Sequence, residues 1–167
     1  MNFNFTVLAL SCGTLLFSTL SYAELIYKDV VDQQREKVIP LIKQGQVDTG
    51  LQKLRQLLGR YPNNQKLIAD FVIIAYENKK FAESDIRYLK GIQSQQFPDY
   101  GKIYVIKALR DLKKFELAEN WAKTFAKTDS NPQWIVWTGI LQAEAGKKAQ
   151  AKKTLSQVDI NQVEADY

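Results

Sequence analysis

Four short segments of this chain repeat one pattern: Gly45-Gln46-Val47-Asp48-Thr49-Gly50, Lys79-Lys80-Phe81-Ala82-Glu83-Ser84, Lys113-Lys114-Phe115-Glu116-Leu117-Ala118 and Gly146-Lys147-Lys148-Ala149-Gln150-Ala151. Each closes on a small residue, and Gly50, Ser84, Ala118 and Ala151 stand 34, 34 and 33 residues apart. A period of that length leaves little choice of fold. It fits one antiparallel helix pair per repeat, because a lone pair cannot bury its apolar face whereas a row of stacked pairs can. The small residues fall where the second helix crosses the first, and a large side chain there would force the two axes apart.

Apolar residues around those positions recur at helical spacing: Leu54, Leu57 and Leu58, then Tyr88 and Leu89, then Ala122 and Phe125, then Leu155 and Val158. First helices are predicted over 31–44, 66–78, 101–112 and 133–145, each ending at the repeated segment. Pro62, Pro98 and Pro132 separate one repeat from the next, since proline cannot continue a preceding helix. Pro40 is discordant, costing about 3 kcal/mol in a helix interior, so the first helix is either kinked there or starts later. The expectation is an all-α, tetratricopeptide-type helical-hairpin solenoid of about four repeats over 24–160, with 161–167 reading as the truncated start of a further repeat.

The first 23 residues carry no Lys, Arg, Asp or Glu, and Val7 to Leu20 is apolar or small ahead of Ser21-Tyr22-Ala23. This reads as a signal peptide, 1–23, cleaved to leave Glu24 first, although its opening residues lack a basic side chain. An anchoring helix is the alternative, but the apolar stretch is shorter than the ~20 residues a span needs. Cys12 lies in it, either as an ordinary apolar-stretch cysteine or as a lipidated one behind a poor Ala9-Leu10-Ser11 motif. The rest of the chain has no cysteine, so export to an oxidising compartment would place no disulfide in it.

The absence of histidine removes the Ser-His-Asp and Cys-His nucleophiles, imidazole bases and histidine-bearing metal sites. No catalytic residue, metal or cofactor is expected. Asp70 and Glu77 could mimic a glycosidase pair, but seven residues along one helix separates them by about 10.5 Å of axial rise, slightly beyond the inverting range. The net charge of +5 arises from interspersed charges and not from one basic tract, which reads as solvated helix faces and gives no reason to expect nucleic acid.

The order of features narrows the comparison. The run from Arg35 through Leu58, then Tyr61-Pro62 and Leu67-Ile68-Ala69-Asp70-Phe71-Val72-Ile73-Ile74-Ala75-Tyr76, resembles the periplasmic amino-terminal region of the poly-N-acetylglucosamine export porins of Gram-negative bacteria. That resemblance implies a periplasmic repeat scaffold that engages the polysaccharide deacetylase, partly deacetylated poly-N-acetylglucosamine, or both. It does not carry transport over, because no succession of alternating ~10-residue strands follows residue 133. A protein-only adaptor for another envelope assembly and, less well supported, a glycan-modifying subunit are the alternatives.

In stacked helix pairs the first helices line the recognition face. On the repeat register the positions pointing from that face are Asp70, Tyr76, Glu77, Tyr100, Tyr104, Lys107, Arg110, Asp111, Trp137 and Glu144. Aromatic rings offer faces to sugar C–H groups, and carboxylates pair with ammonium groups. The competing reading has Tyr104 and Trp137 packed between helices.

Overall fold

The structure is a computed structural model that describes residues 30–92 and 96–159. The expected signal peptide with Cys12, and the expected start of a further repeat at 161–167, lie outside the described residues.

The described residues divide into two units, one ending at 46 and the other beginning at 47. In the first, residues 30–36 form helix α1, the helix breaks at 37–38, and α2 (Ile39–Lys43) follows with Pro40 in its first turn. The proline therefore interrupts the predicted first helix, standing where its missing N–H costs no intrahelical bond.

The second unit is built of helices joined by short connections: α3 (Val47–Arg60), α4 (Gln65–Glu77), a 3-10 stretch (Glu83–Leu89), α5 (Asp99–Asp111), α6 (Phe115–Thr128), α7 (Gln133–Glu144) and α8 (Lys148–Leu155). Contacts run in sequence, α3 on α4, α4 on α5, and so to α7 on α8. The all-α, tetratricopeptide-type repeat arrangement expected from the period is what forms. Asn64 begins α4 by accepting the Leu67 N–H at 3.0 Å, and Pro98 and Pro132 immediately precede α5 and α7.

The turns that follow the first helices repeat most faithfully. Gly45, Lys79, Lys113 and Gly146 have φ of 78°, 55°, 57° and 80° and stand 34, 34 and 33 residues apart. Each ends a first helix in the left-handed conformation, and each is followed by an N–H reaching back five residues. Those bonds are Gln46 to Leu41, Lys80 to Ala75, Lys114 to Leu109 and Lys147 to Gln142, at 2.7–2.9 Å. The period is thus a backbone device as well as a hydrophobic pattern.

A charged ladder follows the same turns. Lys80 pairs with Asp48 at 2.8 Å, Lys114 with Glu83, and Lys147 with Glu116 at 3.4 Å, each lysine meeting the acid 31 or 32 residues before it. Beneath it lies the core. Leu51, Leu54 and Leu58 of α3 are 1% exposed, and burying each contributes about 1.5–3 kcal/mol. Phe97, Trp121, Phe125 and Trp134 form a chain of ring contacts with centroids 5.1–5.5 Å apart, joining α5's approach to α6 and α7.

The period also predicts a second helix after Lys80, and there the structure differs. Residues Glu83–Leu89 are a 3-10 stretch in which Ser84 is exposed, so Ser84 is not the small residue at a helix crossing. The cause lies one residue on. Asp85, 1% exposed, accepts both Arg55 nitrogens at 3.2 and 3.1 Å and the Ala82 N–H at 3.1 Å, which turns the chain inward at position 85. Gly50, Ala118 and Ala151 are buried, as expected.

Candidate functional site

The predicted recognition positions lie on three first helices, α4, α5 and α7. Asp70 and Tyr100 meet across α4 and α5, the Tyr100 hydroxyl donating to the carboxylate at 3.1 Å. Tyr76 and Tyr104 stand edge to face with centroids 6.0 Å apart. Between α5 and α7, Arg110 Nε donates to both Glu144 oxygens at 2.9 and 2.8 Å, and its guanidinium lies 5.9 Å from the Trp137 ring. The ten residues are therefore not one open surface but three lateral contacts, with Glu77, Asp111 and Lys107 beside them.

Two placements change the chemical reading. Trp137 is 5% exposed, so it is a packing residue and offers no ring face to a ligand. The register could not reveal this: α7 is apolar on nearly every side, Trp134, Ile135, Val136, Trp137, Ile140 and Leu141, and periodicity is silent where every face is apolar. Tyr104 is half-buried, which supports the packed reading for that ring, whereas Tyr100 is 49% exposed.

A cavity of about 340 Å³ opens where α4 and α5 end. Tyr76, Phe81 and Ala108 form its walls, and the carboxylates of Glu77 and Asp111 stand on it. Burial holds the Tyr76 hydroxyl above the usual phenol range, and the Asp111 and Glu77 charges add to that; burial and Glu77 do the same to Tyr104. The tyrosines stay neutral, so the negative charge at the cavity belongs to the carboxylates. Arg110 and Glu144 perturb each other in the opposite sense, their hydrogen bond raising the guanidinium and lowering the carboxyl from their ordinary values.

The sequence did not single out the contact among α6, α7 and α8. Glu119, 4% exposed, accepts from Gln142 at 2.9 Å, Lys123 at 2.6 Å and Lys147 at 3.2 Å. Lys102, also 4% exposed, reaches Asp99 at 2.6 Å and Asp129 at 3.7 Å over the Phe125 ring. Both ion clusters are closed within the fold. No group of three or more Cys, Asp or Glu residues able to hold a metal occurs among the described residues.

A tetratricopeptide repeat family model matches residues 41–64, which span the first of the repeated turns. No curated protein and no solved structure matches the chain. The match and the helical-hairpin repeats agree on a repeat scaffold of the kind that mediates contacts between proteins.

Proposed function

We propose that this chain is a non-enzymatic scaffold of the Gram-negative cell envelope, exported by residues 1–23 and acting in the periplasm as part of a poly-N-acetylglucosamine export system. Its partner in this reading is the polysaccharide deacetylase, held on the α4–α5 face. The resemblance of residues 35–90 to the periplasmic region of the export porins motivates the system. The observation that carries a protein partner is the state of the aromatics. Trp137 is buried and Tyr76 and Tyr104 stand edge to face, so these rings do not form the row of open faces along which a sugar chain would stack. Tyr100, half exposed beside Asp70, keeps the partly deacetylated polymer as a second reading.

Co-expression of the full chain with the polysaccharide deacetylase of the proposed export system tests the proposal. Site-specific cross-linkers at Tyr100 and Lys107 should capture the deacetylase, and the exported chain should begin at Glu24. Cross-linking of neither position, or a chain retained in the cytoplasm with Met1 intact, would overturn it.

A further inference from the structure

The carboxylates of the second unit are almost all spoken for. Asp48, Glu83, Asp85, Asp99, Glu116, Glu119, Asp129 and Glu144 each face a Lys or Arg, and Asp70 receives Tyr100. From Asp48 to Glu144 two remain. Glu77 and Asp111 form no ion pair among the described residues, although Glu77 interacts with the Tyr104 hydroxyl and Asp111 lies in the field of Arg110, and both stand on the cavity at the ends of α4 and α5. In a chain with an excess of cations this is an unusual economy. Lys79 lines the same cavity, yet it forms no ion pair with either acid among the described residues.

The repeat itself supplies an internal control. Counted from the left-handed turn residue, Glu77, Asp111 and Glu144 occupy the same position, two residues before Lys79, Lys113 and Gly146. Glu144 is neutralised by Arg110, which stands three residues before its own turn, one repeat earlier. The residue equivalent to Arg110 in α4 is Tyr76. Where an arginine would close on Asp111, a tyrosine leaves the carboxylate open and supplies an aromatic wall instead.

The placement of the acids also opposes local stability. Glu77 is the last residue of α4 and Asp111 the last of α5, where the partial negative charge of a helix end disfavours a carboxylate and favours a cation. Two helix ends, two acids without an ion pair and the rings of Tyr76 and Phe81 converge on one space. An aromatic face and a carboxylate together suit a guanidinium or ammonium group.

We propose that the cavity between the ends of α4 and α5 receives an arginine or lysine side chain of the partner protein, with Glu77 and Asp111 as its counter-ions and Tyr76 and Phe81 as its walls. This rests on the protein-scaffold reading above and names the chemistry of the contact. The occupant supplies the cation that Arg110 supplies to Glu144 within the fold.

The test uses the full chain and a blocked Gly-Arg-Gly tripeptide, with Gly-citrulline-Gly as the neutral isostere, followed by amide chemical shifts in NMR titrations. The arginine peptide should shift amides of residues 76–81 and 108–112. Citrulline should bind about tenfold more weakly, the scale of a lost charge-assisted hydrogen bond. The paired substitution Glu77→Gln with Asp111→Asn should weaken the arginine peptide to the citrulline level. Tyr76→Arg, which rebuilds the Arg110–Glu144 arrangement one repeat earlier, should block it while circular dichroism stays helical. Equal binding of the two peptides, shifts confined to other residues, absence of shifts, or unchanged binding after the paired substitution would each overturn the proposal. A deacetylase complex indifferent to the paired substitution, with no peptide shifts, would remove this contact and leave the scaffold reading standing. Peptide binding without any deacetylase complex would do the reverse.

Discussion

Gln142 donates its amide N–H to Glu119 at 2.9 Å and accepts the Thr154 hydroxyl at 2.8 Å, so a single side chain couples α6, α7 and α8. Burial works against the Glu119 charge, but bonds from Lys123, Gln142 and Lys147 outweigh it and hold the carboxyl at about 2.

That shift has a signed consequence for acid stability. A carboxyl whose folded value lies below its unfolded value contributes stability above the unfolded value and loses it as pH falls through the folded one. The contribution should be complete above pH 4.5 and decline toward pH 2. Melting temperature measured against pH should therefore fall more steeply across this window in the parent than in Glu119→Gln. Parallel curves would mean that Glu119 is not the group responsible.

Gly101 and Gly139 separate crowding by fixed core atoms from crowding by a side chain that can move. A Cβ at Gly101 would lie 2.7 Å from the Ala69 Cβ and 2.8 Å from the Phe97 ring, both held in the core. A Cβ at Gly139 would lie 2.5 Å from Leu155, whose side chain is 38% exposed and able to turn away. Gly101→Ala should cost about 1–3 kcal/mol in urea unfolding, and Gly139→Ala distinctly less.

Lys113 occupies the left-handed region that glycine occupies in the equivalent turns at 45 and 146. Lys113→Gly should stabilise the protein by up to about 1 kcal/mol, the relief of a side chain at positive φ being partly offset by the greater freedom of the unfolded chain. A thermal melt checks the sign, and a lower melting temperature would contradict it.

Ala118 is 0% exposed between helices, whereas Ser84 is exposed. Ala118→Leu should overpack the crossing by about 1–3 kcal/mol, and Ser84→Ala should stay within about 0.5 kcal/mol. Equal losses at the two positions would mean that residue 84 is packed after all.

The small residues, the prolines and the Phe81/Phe115 correspondence made the repeat legible, because each reports a steric requirement that recurs at fixed spacing. Asp85 did not advertise itself. Its effect depends on Arg55, thirty residues earlier, and such a distant pair leaves no periodic trace even though it decides that 83–89 is a 3-10 stretch. The turn residues were half visible for a related reason: Gly45 and Gly146 announce positive φ, while Lys79 and Lys113 adopt it against their intrinsic preference. At the predicted recognition face the sequence supplied the helices, and of the ten positions Glu77, Tyr100, Asp111 and Glu144 are exposed. It could not separate Trp137, turned inward from an all-apolar helix, from Tyr100, turned outward.

The lysine ladder bears on how such a chain can change length. Removing residues 80–113 would join Lys79 to Lys114 and set Lys114 opposite Asp48, the place Lys80 now holds. The regular α6 would succeed α4 directly, with Glu119 in the position of Asp85. The ladder keeps its charges at the new junction, but Glu144, deprived of Arg110, would meet Tyr76 in its place, and Asp129 would lose Lys102. Recombination that removes a 34-residue block from the gene would thus preserve the lysine ladder at the seam while opening a carboxylate on the face of the first helices, so a change in the number of repeats is also a change in the charge of the surface they build.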